Sequence, residues 1–179
     1  MRPDTFDFGF GPVPAHQHAN GGGWVADTAT VDGTAYVGPN AGVYGDARVY
    51  GDARVYGDAR VSGDAGIYGN ARVYGDAQVY GDAQVSGNAW VSGNAQVSGN
   101  AGIYGNARVE RSTDYLLIGP LGSREAFLTW TRSDNCIATG CFRGTVAEFL
   151  AAVQETHGDN EHAKAYRAAV AMIEATKGG

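Results

Sequence analysis

The sequence predicts a mainly β protein: a parallel β-helix of hexapeptide repeats in four to five coils, followed by a small α+β domain. Three observations carry this reading. From Val25 to Val109 every sixth residue is Val or Ile. Four residues beyond each of them, from Ala29 to Ala107, stands Ala. Most units close on Gly followed by Asp or Asn, as in Val49-Tyr50-Gly51-Asp52-Ala53-Arg54. A fixed short period held without insertion is the signature of a solenoid.

Within a unit, Ala-Arg-Val-Tyr alternates small, polar, aliphatic and aromatic, the period-two pattern of a strand. Gly with Asp or Asn tolerates backbone conformations that β-branched residues refuse, so it reads as the corner. Ala and Val face in; Arg and Tyr face out. Three units make a triangular coil of eighteen residues. Stacked coils pair strand on strand in parallel, giving a prism about 22 Å long at the usual strand spacing. Burying each Val is worth roughly 1.5–3 kcal/mol, which offsets the ordering of such short strands.

Positions eighteen apart stack, so the outward residues sort into three flat sides. The side centred on Val37, Val55, Val73, Val91 and Val109 is the richest in aromatic and Arg residues. It presents Tyr36, Arg54, Tyr56, Arg72, Tyr74, Trp90 and Arg108. Corner residues Asp52, Asp58 and Asp76 are expected to neutralise the stacked arginines, with Tyr rings packed under the guanidinium stems. Tyr, Trp and Arg are also the composition enriched at protein interfaces. Eight tyrosines and Trp90 lie on outward positions. That much bare aromatic area predicts a homo-oligomer, with this side as its interface or as a face for a foreign partner.

The flanks divide the chain into an N-terminal arm or cap (1–24), the β-helix (25–110) and a C-terminal domain (111–179). The arm is rich in Gly, Pro and aromatics, and is expected to cross the first coil or a neighbouring subunit. Its His16 and His18 read as incidental rather than as a metal pair. In the C-terminal domain Asp114–Leu121, Ala126–Arg132 and Cys136–Phe142 read as strands, with a turn at Ser133-Asp134-Asn135. Thr145 and Glu148 form a capping box. The helix it opens has Val146, Phe149, Leu150 and Val153 on one face and ends at Gly158. A second helix, starting at Asp159 or Asn160, turns Ala163, Tyr166, Val170 and Ile173 inward. The expected order is β-β-β-α-α.

Chemistry-bearing residues cluster in this last domain. Cys136-x4-Cys141 and His157-x4-His162 approach the spacing of a zinc site. A continuous strand between the cysteines would point them to opposite faces, so no metal is expected. Cys141 and His157 are a conceivable nucleophile and base. Arg124 and Arg143 sit in turns able to receive an anion. With Asn160 and Tyr166 these residues make up the candidate small-ligand set: Arg124, Cys141, Arg143, His157, Asn160 and Tyr166. No cofactor is implied. The net charge of −6 is unclustered and gives no basic footprint for nucleic acid. The absence of a long apolar run or a leader-like start predicts a soluble, cytoplasmic protein with reduced thiols.

The repeat, aliphatic with a small residue four further on, resembles the hexapeptide-repeat left-handed β-helix; the left hand is implied by that resemblance. The family's best known members are acyltransferases, usually trimers, which need a His general base near the intersubunit groove. The γ-class carbonic anhydrases among them hold zinc through repeat histidines. His16, His18, His157 and His162 all lie outside the coils, so neither activity is expected here. The chain also resembles a group of phage and prophage proteins of bacteria. The likeness rests on NGGGWVADTATV (20–31), IGPLGSR (118–124), GCFRGT (140–145) and HGDN (157–160). It implies a mobile-element origin, a bacterial host cytoplasm, and no particular chemistry; a virion component is not excluded by it. The expectation is a non-enzymatic structural or interaction protein, with a trimer favoured. The alternatives are a binder of a small nucleotide signal acting against host defence, and an acyltransferase-like enzyme.

Overall fold

The computed structural model describes residues 4–177 of the 179. The first three residues of the expected arm lie outside them. The chain divides into two compact units, the first ending at Ser112 and the second beginning at Thr113.

The first unit opens with a hairpin of β1 (Thr5–Asp7) and β2 (Pro12–Gln17), then enters the coils at β3 (Trp24–Ala26). From β3 to β17 (Arg108–Val109) the strands are short, two residues in nearly every case, and they stack in three columns of five, making five coils. Every pairing between coils is parallel and joins residues eighteen apart, as in Val37 with Val55 and Val73 with Val91. The ladder runs without a break: Tyr56 N donates to Val73 O at 3.0 Å and Tyr74 N to Val91 O at 2.9 Å.

The inward set follows the sequence period. From Ala35 to Val109 its Val, Ile and Ala are buried, nearly all at 0% exposure. Only the entry unit frays, where Ala29 and Val31 are half-buried. Corners turn on glycines with φ near +70°, and each corner glycine from Gly45 to Gly87 lies against its counterpart one coil along.

The N-terminal hairpin covers this chain's own first coil. β2 pairs antiparallel with β3, so it completes one column's edge. The next segment completes a second: Gly23 N donates to Val37 O, and Val37 N to Asn20 O. The Gly21-Gly22-Gly23 run is needed for that approach. A Cβ on Gly21 or Gly23 would stand 2.2 Å from a carbonyl oxygen of Val37 or Gly38. Phe6 and Phe8 bury the hairpin's apolar face, Phe6 stacking on Trp24 at 4.7 Å and Phe8 meeting Tyr44 at 4.8 Å.

The second unit is a four-stranded antiparallel meander with two helices. Its strands are β18 (Tyr115–Leu121), β19 (Ala126–Thr131), β20 (Cys136–Thr139) and β21 (Phe142–Thr145). The third expected strand, Cys136–Phe142, is therefore two strands, and the order is β-β-β-β-α-α. Thr139 pairs with Phe142 across a two-residue turn, Gly140-Cys141, with Gly140 at φ +51°. Glycine at positive φ is what a two-residue hairpin loop asks for.

Helix α1 (Val146–His157) carries the capping box, with Thr145 and Glu148 bonding each other's backbone N–H. Helix α2 (Glu161–Lys177) starts at Asn160, whose side chain accepts from Ala163 N at 3.0 Å. The core joins Leu128, Trp130 and Ile137 of the sheet to Phe149, Val153, Tyr166, Val170 and Ile173 of the helices. Leu150 is only half-buried. Arg167 ties the helices together, bonding Gly158 O at 2.8 Å, Asp159 at 2.9 Å and the Gln154 side chain.

Candidate functional site

The parallel stack brings the seven residues expected on the aromatic side into one column. Tyr36, Arg54, Arg72, Trp90 and Arg108 pair in register down it. Tyr56 and Tyr74 stand on the other side of the Val row, their rings 5.0 Å apart and 3° from parallel. Tyr74 meets Trp90 edge-on at 6.4 Å. Trp90 is held between two cations, Arg108 at 4.5 Å and Arg72 at 5.3 Å from its ring. Burial and the neighbouring Tyr74 raise the Tyr56 hydroxyl above its ordinary pKa.

Two expectations about this side are corrected. Among the described residues Arg54 and Arg72 form no ion pair with Asp52, Asp58 or Asp76. Asp52 stands in a corner ladder with Thr34, Asn70 and Asn88, in which Asn70 donates to Asn88 at 3.4 Å and Asn88 to Asn106 at 3.3 Å. Between that corner ladder and Arg54 and Arg72 runs a polar groove of about 480 Å³. The bare aromatic area is also smaller than the residue count suggests. Every coil tyrosine but Tyr80 is at least half-buried, because the rings lie down on the prism. Tyr68 and Tyr104 fold over Gly66 and Gly102, where a Cβ would stand 2.3 Å from the ring. The signal was present as Ala-Gly-Ile-Tyr-Gly at 65–69 and 101–105. Glycine two positions before an outward tyrosine makes the slot for its ring.

The second unit gathers four of the six candidate ligand residues. Arg124, Cys141, His157 and Tyr166 line one pocket of about 400 Å³, floored by Phe142, Phe149 and Val153. The Gly140-Cys141 turn places Cys141 at the rim, exposed, with Arg124 Nη1 at 3.6 Å from its Sγ. His157, at the end of α1, faces Tyr166 and His162 at 5.7 Å each. The Tyr166 ring is pinned by Gly122, where a Cβ would lie 1.9 Å from its hydroxyl. Arg143 and Asn160 do not line the pocket: Arg143 is exposed on β21, and Asn160 caps α2.

A hairpin, and not one continuous strand, separates the two cysteines. Cys136 sits at the open end, paired with Thr145, and Cys141 in the turn at the other end. Burial and Asp134 push the Cys136 thiol above its ordinary pKa. Among the described residues no group of three or more His, Cys, Asp or Glu side chains converges as a metal site would require. His16 is exposed against Asp27 at 2.9 Å, while His18 is buried with Nε2 3.0 Å from Ala35 O. No described helix is long and apolar enough to cross a membrane.

A family model, the YdcK β-solenoid repeat, matches residues 41–57, 53–66, 65–81, 77–93 and 83–99. The coils are a β-solenoid related to the YdcK type. The matched stretches cover about a third of the chain and hold Arg54, Tyr56, Arg72, Tyr74 and Trp90. The YdcK-type match does not extend to Tyr36, Arg108 or any residue of the second unit's pocket. Neither a curated protein nor a solved structure matches the chain.

Proposed function

We propose that this chain is a non-enzymatic interaction protein that uses one side of its solenoid as a contact face and works as a homo-oligomer, with a trimer favoured. The observation that carries the reading is the aromatic side. Two parallel tyrosines and a tryptophan between two arginines form one continuous column, in which Arg54 and Arg72 make no ion pair among the described residues. Aromatic and guanidinium groups of this kind supply most of the energy at interfaces, since they bury area and hydrogen-bond at little entropic cost. The polar groove beside the column adds amide and carboxylate groups that can pair with the arginines of a second copy.

The left-handed winding of a hexapeptide repeat, the phage or prophage origin and the host cytoplasm belong to the same reading. Their support is the repeat pattern together with the IGPLGSR, GCFRGT and HGDN segments. A host protein seated on the same face is the competing occupant. Light scattering of the purified chain separates the two. A homotrimer has three times the 18.6 kDa of one chain. The paired Tyr56→Ser, Tyr74→Ser variant should then fall to the monomer mass while keeping its circular dichroism. A wild-type monomer at micromolar concentration overturns self-association.

A further inference from the structure

A second site lies in the C-terminal unit and stands independently of the solenoid reading. We infer that the pocket beneath the Gly140-Cys141 turn binds a small organic anion with an apolar body, Arg124 receiving the charge and the Phe142–Phe149 floor receiving the body. At about 400 Å³ the pocket falls in the size range of small-molecule sites, roughly 300–1,000 Å³. Its chemistry is divided. The floor is aromatic and aliphatic, Phe142 and Phe149 meeting at 5.2 Å and Phe149 meeting Tyr166 edge-on at 5.4 Å. The rim holds one permanent cation, and no Asp or Glu lines any part of the site.

Arg124 is the feature that points to an anion. It stands in the β18–β19 turn with its guanidinium brought to the rim, where its one hydrogen bond among the described residues goes to the Cys141 sulfur at 3.6 Å. Thiol sulfur is a weak acceptor, and a guanidinium carries five donors in a planar fork. Among the described residues Arg124 forms no ion pair. A carboxylate or phosphate monoester offers that fork a geometric match, and such charge-assisted pairs are about twice as strong as neutral ones. The same observation argues for binding rather than turnover. The Cys141 sulfur faces Arg124, while the His157 ring faces Tyr166 and His162, so nucleophile and base are not joined. The polar groups are few and convergent over an apolar floor, the usual make-up of a binding pocket.

Titration calorimetry on the full chain tests this with four probes: phenylacetate, phenyl phosphate, acetate and benzyl alcohol. One of the first two should bind with at least about tenfold higher affinity than acetate or benzyl alcohol, because only they fill floor and rim together. Which of the two binds more tightly separates a carboxylate ligand from a phosphate one. Arg124→Gln, at an exposed turn, should weaken the better probe by about ten- to a hundredfold. Ala152→Trp, which fills the pocket from α1, should abolish binding. The bound probe should also slow alkylation of Cys141 by iodoacetamide and leave that of Cys136 unchanged. The inference is overturned if neither aromatic anion binds at millimolar concentration to protein with an unaltered melting curve. It is equally overturned if Arg124→Gln binds as the wild type does, or if benzyl alcohol binds as tightly as the anions.

Discussion

Tyr56 and Tyr74 lie face to face, ring centroids 5.0 Å apart and planes within 3°, although eighteen residues separate them in the chain. Nothing local makes that contact. It follows from a coil of three six-residue units, which returns each residue to a place directly above its counterpart. The same rule places Arg72 over Arg54 and Trp90 over Arg72. A repeated sequence thereby becomes a column of like groups, and the column is what a partner meets.

The inward row should tolerate no charge. Ile67 and Val73 are at 0% exposure in a core of buried Val, Ile and Ala. Ile67→Asp or Val73→Asp should cost on the order of 3–5 kcal/mol, the range for an uncompensated buried charge. The melting transition of the coils, followed by circular dichroism, should be lost or lowered by many degrees. Tyr68→Ser should cost only about 1 kcal/mol, because the ring is half-buried over Gly66 and stacks on Tyr50 at 5.9 Å. Equal melting of the aspartate variants and the wild type would contradict the inward assignment.

Glycines in the repeat should differ sharply in cost. Gly57 has φ +69°, and a Cβ there would stand 2.9 Å from Gly75 N of the next coil. Gly57→Ala should destabilise the coils by about 1–3 kcal/mol. Gly33 has open space around it and no positive φ. Gly33→Ala should leave the unfolding free energy, measured in urea, within about 0.5 kcal/mol of wild type, or raise it. A reversal of that order would mean the corners are not stacked as described.

The coils were legible almost to the residue, because Val, Ala and Gly-Asp each report one local requirement and the period repeats it. The outward faces were less so. Tyr80 and Tyr74 look alike in sequence, yet their exposure depends on what lies eighteen residues away. The hairpin at Gly140 was missed because Cys136 to Phe142 is apolar enough to pass for one strand, and a single Gly inside it reads ambiguously. The pocket was legible only as residue types. Arg124 reaches Cys141 because two separate turns meet, a tertiary fact that no spacing encodes.

Acid should loosen the N-terminal hairpin. The Asp7 carboxylate accepts from Gly9 N at 2.7 Å and Gly11 N at 2.9 Å, and these backbone bonds hold its pKa below the ordinary value. A depressed folded pKa means the stabilisation is present above the unfolded value, about 3.9, and is lost as pH falls through the folded one. Glu148 behaves in the same way at the start of α1, where Thr145 N is its main partner. The amide resonances of Gly9 and Gly11 should titrate together, with a midpoint below about 3.9. A midpoint at or above that value would remove the turn from the account.

Radical footprinting at two protein concentrations tests the contact face most directly, since it reads every aromatic residue of the native chain at once. On going from nanomolar to micromolar protein, Tyr56, Tyr74 and Trp90 should become protected. Tyr50, Tyr68, Tyr80 and Tyr104, on the other two sides, should be oxidised at an unchanged rate. Unchanged reactivity of all seven, or protection confined to the other two sides, would contradict the assignment of this column as the interface.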